Sequence, residues 1–254
     1  MDLQLNGSRV LVTGGTRGIG RAIVEAFVDE GAVVEFCARD AGEIEATEKA
    51  LAERGGGRAT GVQLDVGDGA ALTTWVEAAA GRLGGIDAVV ANVSALAVPD
   101  TEENWYTSFE VDLMHTVRLS KAALPHLEAS GRGSIVALSS VTGREADFAS
   151  GPYGTMKTAI VGYIGGLAFQ LAGRGVRANV VSPGNTFFTG GIWDGIKEGS
   201  PDLYADSIAL NPTGRMGLPE EMAKAVVFLS SPVSSFTTGT NLVVDGALTR
   251  GIQL

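Results

Sequence analysis

The strongest constraint on this chain is the way apolar runs of strand length alternate with longer stretches at helical spacing. Strand-length runs occupy residues 9–13, 33–38, 60–64, 88–91, 134–139, 178–182 and 241–244. Most are apolar at successive positions, not at every second one. That pattern marks strands covered on both faces, as in a parallel sheet. Helix-spaced stretches lie between them, at 20–30, 41–54, 70–82, 103–128, 153–172 and 219–229. Alternation of this kind with right-handed crossovers predicts an α/β fold: a doubly wound parallel sheet of about seven strands with helices on both faces. No linker-like stretch or repeat interrupts the 254 residues, so they read as a single domain. The rhythm breaks once, after Gly184. Residues 185–217 carry Phe187, Phe188, Trp193 and Tyr204 and are expected to form a substrate-covering loop.

The formal net charge is −10 and no basic run occurs, which argues against nucleic acid or an anionic membrane as partner. A single cysteine, Cys37, rules out an internal disulfide and fits a reducing cytoplasm. Residues 1–9 are polar and lack the apolar core of a signal peptide. The apolar stretch 158–171 is short for a bilayer span and is expected to be a buried or subunit-contacting helix.

Chemistry is concentrated at strand ends. The first strand runs into Thr13-Gly14-Gly15-Thr16-Arg17-Gly18-Ile19-Gly20, where a helix begins. Glycine there permits positive φ and close approach of backbone to a ligand, so a pyrophosphate can rest on N–H groups at the helix start. Tyr153 and Lys157 stand four apart and share one helix face. A phenol is ordinarily protonated at neutral pH, and an adjacent ammonium favours the phenolate, which suits the tyrosine to exchange a proton with a carbonyl or alcohol. Ser140 follows the buried run 134–139, at the carboxyl edge of the sheet, where ligands bind in such folds.

The spacing Thr-Gly-x-x-x-Gly-x-Gly, joined to Ser140, Tyr153 and Lys157, resembles the short-chain dehydrogenase/reductase family from Val10 to Gly246. The resemblance implies hydride exchange between a nicotinamide dinucleotide and a ketone, aldehyde or secondary alcohol. Ser140 would orient the substrate oxygen, Tyr153 would transfer the proton, and Lys157 would assist Tyr153 and hold the ribose. It implies further cofactor contacts at Gly14, Thr16, Arg17, Gly18, Ile19, Gly20, Asp65, Val66, Asn92, Pro183 and Gly184. A homotetramer built on the helices at 103–128 and 153–172, or a homodimer, is also implied.

Three departures from the family pattern stand out. Asp112 occupies the position where an Asn usually helps hold a water of a proton relay beside the lysine. Val93-Ser94 follows Asn92 where smaller residues are usual. Ala38-Arg39 ends the second strand where NAD-preferring members carry an Asp; Arg39 and Arg17 suit a 2′-phosphate and point to NADP, while Asp40 argues the other way. The loop aromatics suggest an apolar or ring-bearing substrate. A 3-oxoacyl thioester reductase and a dinucleotide sensor without turnover are the rival readings. His115 and His126, without a cysteine companion, do not compose a metal site; Cys37, Trp75 and Trp105 read as packing residues.

Overall fold

The computed structural model describes residues 2–251. Each strand-length run forms a strand: β1 (Arg9–Thr13), β2 (Val33–Ala38), β3 (Arg58–Gln63), β4 (Ala88–Ala91), β5 (Ser134–Leu138), β6 (Arg177–Pro183) and β7 (Asn241–Val244). They pair in parallel in the order β3-β2-β1-β4-β5-β6-β7. Helices α1 (Gly18–Asp29), α2 (Ala41–Ala52), α3 (Gly69–Leu83), α4 (Glu102–Ser108), α5 (His115–Ser130), α6 (Pro152–Leu171), α7 (Ile192–Gly199), α8 (Pro201–Ala209) and α9 (Pro219–Ser230) connect or cover them.

The unbroken apolar runs are explained by two cores, one on each face of the sheet. Leu11, Val89 and Ile135 point to one face, where Trp75 of α3, Leu119 of α5 and Ile160 of α6 meet them. Val10, Val12, Val34 and Val136 point to the other, against Ile23 and Phe27 of α1 and Val226 of α9. Side chains alternate between faces along a strand, so a sheet covered twice needs apolar residues at both phases. Complete burial of a side chain such as Phe27 contributes roughly 2–3 kcal/mol.

The amino-terminal edge of the sheet is clamped by charge. Asp87 accepts from Arg9 on β1 and from Arg132 ahead of β5. Burial alone would raise its pKa, yet the hydrogen bonds from the two guanidiniums hold it down to about 2. At the opposite edge β2 and β4 flank β1, and the crossovers leave β1 in opposite directions. That reversal opens a crevice at the carboxyl ends of the central strands.

Two stretches differ from their sequence reading. The helix expected over 103–128 is a rod in three parts, α4, a π-helical turn at Phe109–Met114, and α5. Residues 185–217 are less a loop than a small helical excursion holding α7 and α8. Its base is pinned by the Thr186–Gly217 bridge and by Phe187 N–H donating to Gly217 O.

Candidate active site

Every site residue named from the sequence lies at or next to the carboxyl edge. β1 ends in Thr13, and the chain turns through Gly14 (φ +74°) and Gly18 (φ +52°) into α1. A Cβ on Gly20 would lie 1.9 Å from Gly14 O, so only glycine allows strand and helix to approach this closely. Arg17 precedes the helix in extended conformation and its side chain makes no cap hydrogen bond. The first-turn N–H groups of α1 therefore lack a side-chain acceptor, the donor set that a pyrophosphate fits. Ile19 is half-buried and packs on the α1 core, which fixes the helix start.

Asn92 and His115 brace this loop. Asn92 Nδ2 donates to Thr13 O at 3.0 Å and to Gly14 O at 3.3 Å, and its N–H donates to Thr13 Oγ1 at 3.0 Å. His115 is fully buried, with Nδ1 3.0 Å from Val111 O and Nε2 2.9 Å from Thr13 Oγ1. A carbonyl can only accept, so Nδ1 carries the proton and Nε2 accepts from the threonine hydroxyl. Burial, with a smaller contribution from Lys157, lowers the His115 pKa to about 4; the Val111 carbonyl and Asp112 oppose the shift. This role for His115 was missed in the sequence, where its apolar surroundings and helical position carry no sign of it.

The catalytic candidates meet where β5 delivers the chain to α6. Ser140 is extended, nearly buried, and its Oγ accepts from Thr142 N–H at 3.2 Å. Ser139 Oγ donates to Lys157 O at 2.8 Å, and Thr158 Oγ1 donates to Gly143 O at 2.9 Å. These bonds seat the first turns of α6 directly on the segment after β5. Pro152 opens the helix with φ already suited to it and no N–H to satisfy. Lys157 follows on the same face as half-buried Tyr153, its Nζ 5.6 Å from the ring centroid.

Lys157 is almost wholly buried. Nζ donates to Leu138 O at 3.1 Å and lies 3.1 Å from Asp112 Oδ1. Asp112 has no exposed surface, so it is not a helix-surface carboxylate. Its Oδ2 accepts from Ala95 N–H at 3.2 Å. Oδ1 has no aligned hydrogen-bond donor among the described residues, and its contact with the ammonium is an ion pair by proximity. The π-helical turn sets this up: it adds a residue to the helical repeat at the height of Lys157, a distortion often found at functional sites. Asp112 thereby joins two of the departures from the family pattern, because it fastens the segment just after Val93-Ser94 to the lysine.

The remaining candidates sit along the same edge. Pro183 ends β6, and a Cβ on Gly184 would lie 2.8 Å from Asp245 Cα. Asp65 is exposed and accepts from Gly67 N–H, while Val66 beside it is buried. Arg39 is exposed and has no ion-pair partner among the described residues. Asp40 caps α2 by accepting from Glu43 N–H at 2.8 Å. Thr16 Oγ1 donates to Glu43 Oε2 at 2.8 Å, and Arg17 pairs with the same oxygen at 3.5 Å. Glu43 was not singled out in the sequence. Cys37 is buried, and burial pushes its thiol up to about 12, the state of a packing residue. Trp75 and Trp105 do more than pack: their Nε1 atoms donate to Glu35 and Asp100.

The helical excursion touches both halves of the site. Trp193 of α7 packs edge-on against Phe148, in the loop leading to Tyr153, with centroids 6.4 Å apart. Phe188 lies against Gly18 of the glycine turn, where an added Cβ would stand 2.5 Å from its Cζ.

Known proteins resemble this chain along almost its whole length. Residues 14–249 match the family model described as enoyl-(acyl carrier protein) reductase. The chain is 41% identical to isoepoxydon dehydrogenase from Penicillium expansum, over 98% of this chain and 97% of that one. It superposes on L-sorbose reductase from Gluconobacter frateurii, complexed with NADPH and L-sorbose, with a TM-score of 0.90, 26% identity and coverage of 99% and 100%. A 3-oxoacyl-[acyl-carrier protein] reductase with bound NAD from Brucella melitensis gives a TM-score of 0.83 at 31% identity, covering 95% and 90%. The chain belongs to the short-chain dehydrogenase/reductase family and is a hydride-transferring oxidoreductase acting between alcohol and carbonyl groups.

Proposed function

We propose that the enzyme works with NADP(H) and that Ser140, Tyr153 and Lys157 carry the proton side of the reaction. The nicotinamide dinucleotide supplies or takes the hydride when bound. The glycine turn from Gly14 to Gly20, Arg39, Asp65, Val66, Asn92, Lys157, Pro183 and Gly184 would hold it. Ser140 hydrogen-bonds the substrate oxygen, and Tyr153 gives it a proton in reduction or takes one in oxidation. The Lys157 ammonium stabilises negative charge on the phenolic oxygen as that proton leaves. Asp112 fixes the ammonium, and its Oδ1 is available to accept from a relay water.

The observation that carries this reading is the burial of Lys157 beside the Tyr153 ring, anchored by Leu138 O and Asp112. Burying a charge this deeply is unfavourable unless it is paired, which favours a functional reason for keeping it. The NADP assignment is supported by exposed Arg39 and by the capping role that engages Asp40. Phe148 and Trp193 favour an apolar or ring-bearing substrate. An assembly through α4–α5 and α6 is supported by Tyr106 and Phe169, which are 66% and 90% exposed. The lone buried thiol suits a reducing cytoplasm.

The test is a steady-state screen of ketones, aldehydes, secondary alcohols and a 3-oxoacyl thioester with NADPH/NADP and NADH/NAD. Turnover of a cyclic or apolar carbonyl with NADPH, well above that of the thioester, supports the reading. A thioester preference would make the enzyme a 3-oxoacyl reductase, and cofactor binding without turnover of any of these compounds would count against the roles given to Ser140, Tyr153 and Lys157.

A further inference from the structure

We propose that Glu43 sets the margin between NADPH and NADH by competing with the 2′-phosphate for Arg17 and the Thr16 hydroxyl; this rests on the NADP reading of Arg39 and Arg17.

Four charged side chains gather where β1 and β2 end. Asp40 is engaged in capping α2. Arg39 is exposed and makes no ion pair among the described residues. Arg17 is the second cation, and it is paired: Glu43 Oε2 lies 3.5 Å from its Nε and accepts from Thr16 Oγ1 at 2.8 Å. A single carboxylate oxygen thus holds two donors of the glycine turn. Glu43 reaches the turn from the first turn of α2, where a carboxylate is also favoured by the helix dipole.

A phosphate monoester brings nearly two negative charges and needs the donors that Glu43 holds. When NADPH binds, either the carboxylate gives up Arg17 and Thr16 or it stays and repels the phosphate. Both outcomes weaken NADPH. NADH presents a neutral ribose hydroxyl at that position and meets neither penalty. Glu43 therefore narrows a preference that Arg39 and Arg17 would otherwise make wide. The Arg17 side chain is 66% exposed and that of Glu43 38%, so solvent limits the effect to the range of surface ion pairs.

The test measures equilibrium binding of NADPH and NADH to the wild type, Glu43→Gln, Arg17→Ala and the double variant. Glutamine keeps an acceptor for Thr16 and removes the charge. Glu43→Gln should tighten NADPH about two- to fivefold and leave NADH within about twofold. The gain should shrink in the Arg17→Ala background, where only the direct repulsion and the Thr16 contact are left to relieve, and shrink in about 0.5 M salt, which a purely structural role would not produce. An unchanged NADPH-to-NADH ratio, or equal losses for both, overturns the proposal. A selective loss of NADH would show Glu43 reading the ribose hydroxyl instead and also overturns it. A wild type that binds NADH more tightly refutes the NADP reading alone, because the shift in ratio on Glu43→Gln still tests Glu43.

Discussion

Two ion pairs flank the crevice, and they live in different dielectric worlds. Lys157 and Asp112 are 3.1 Å apart with side chains 3% and 0% exposed. Arg17 and Glu43 are 3.5 Å apart with side chains 66% and 38% exposed. The separations are nearly equal, so the Coulomb attraction differs chiefly through the medium, by several-fold or more. The buried pair holds the ammonium beside the Tyr153 ring, and burial makes it costly to strip either charge of its partner. The exposed pair sits on the glycine turn, where water and salt weaken it.

The sharpest way to break the comparison is to neutralise the acid in each pair. Asp112→Asn leaves a buried ammonium held chiefly by the Leu138 carbonyl, and stability should fall by about 3–5 kcal/mol. Glu43→Gln should change it by less than about 1 kcal/mol. Chemical denaturation of both variants gives the answer, and equal losses would erase the distinction. If Asp112→Asn remains folded, alcohol oxidation should persist, because the amide oxygen still accepts a hydrogen bond at that position.

Next in size is the pH response of the buried centre. His115 is held neutral, with its pKa lowered from 6.5 to about 4, mainly by burial. The unfolded chain therefore binds more protons in that window, and folding stability falls as pH drops from about 6.5 toward 4. The loss is roughly 3 kcal/mol, fully absent above the unfolded value. Melting temperatures across this range should fall more steeply for the wild type than for His115→Gln. Parallel curves would show that His115 is not the titrating group. Asp87, held down to about 2, adds its own loss only at more acid pH.

The rim gives the smallest stability effect and a selective binding effect. Arg39→Ala should weaken NADPH about ten- to a hundredfold and leave NADH nearly unchanged. Titration of the purified variant with both cofactors checks this. Equal losses would place Arg39 outside the phosphate site.

The sheet was legible because a strand covered on both faces writes an uninterrupted apolar run. β1, β2, β4 and β7 have the bounds read from the sequence, and β3, on the edge, differs because Arg58 and Ala59 extend it with polar and small residues. The glycine turn and the Tyr153–Lys157 pair could be read from local spacing, whereas Ser140 was placed beside them by the family resemblance. The π-helical turn was not: Val111-Asp112-Leu113 keeps ordinary helical apolar spacing, and the extra residue shows only in the backbone hydrogen bonds. α7 and α8 were hidden by the glycines around Trp193, which read as loop. Glu43 and His115 act on Thr16 and Thr13 across the chain, and one sequence carries no record of such pairings.

The central claim is that Tyr153 transfers the proton beside a buried Lys157. Tyr153→Phe keeps the ring and the packing of α6 and removes only the phenolic oxygen. The decisive measurement is the rate of NADPH consumption with the best carbonyl substrate, alongside NADPH binding by the same variant. The account predicts turnover lost by a factor of about a hundred or more with binding within about threefold of wild type. Turnover near wild type with intact binding would contradict it.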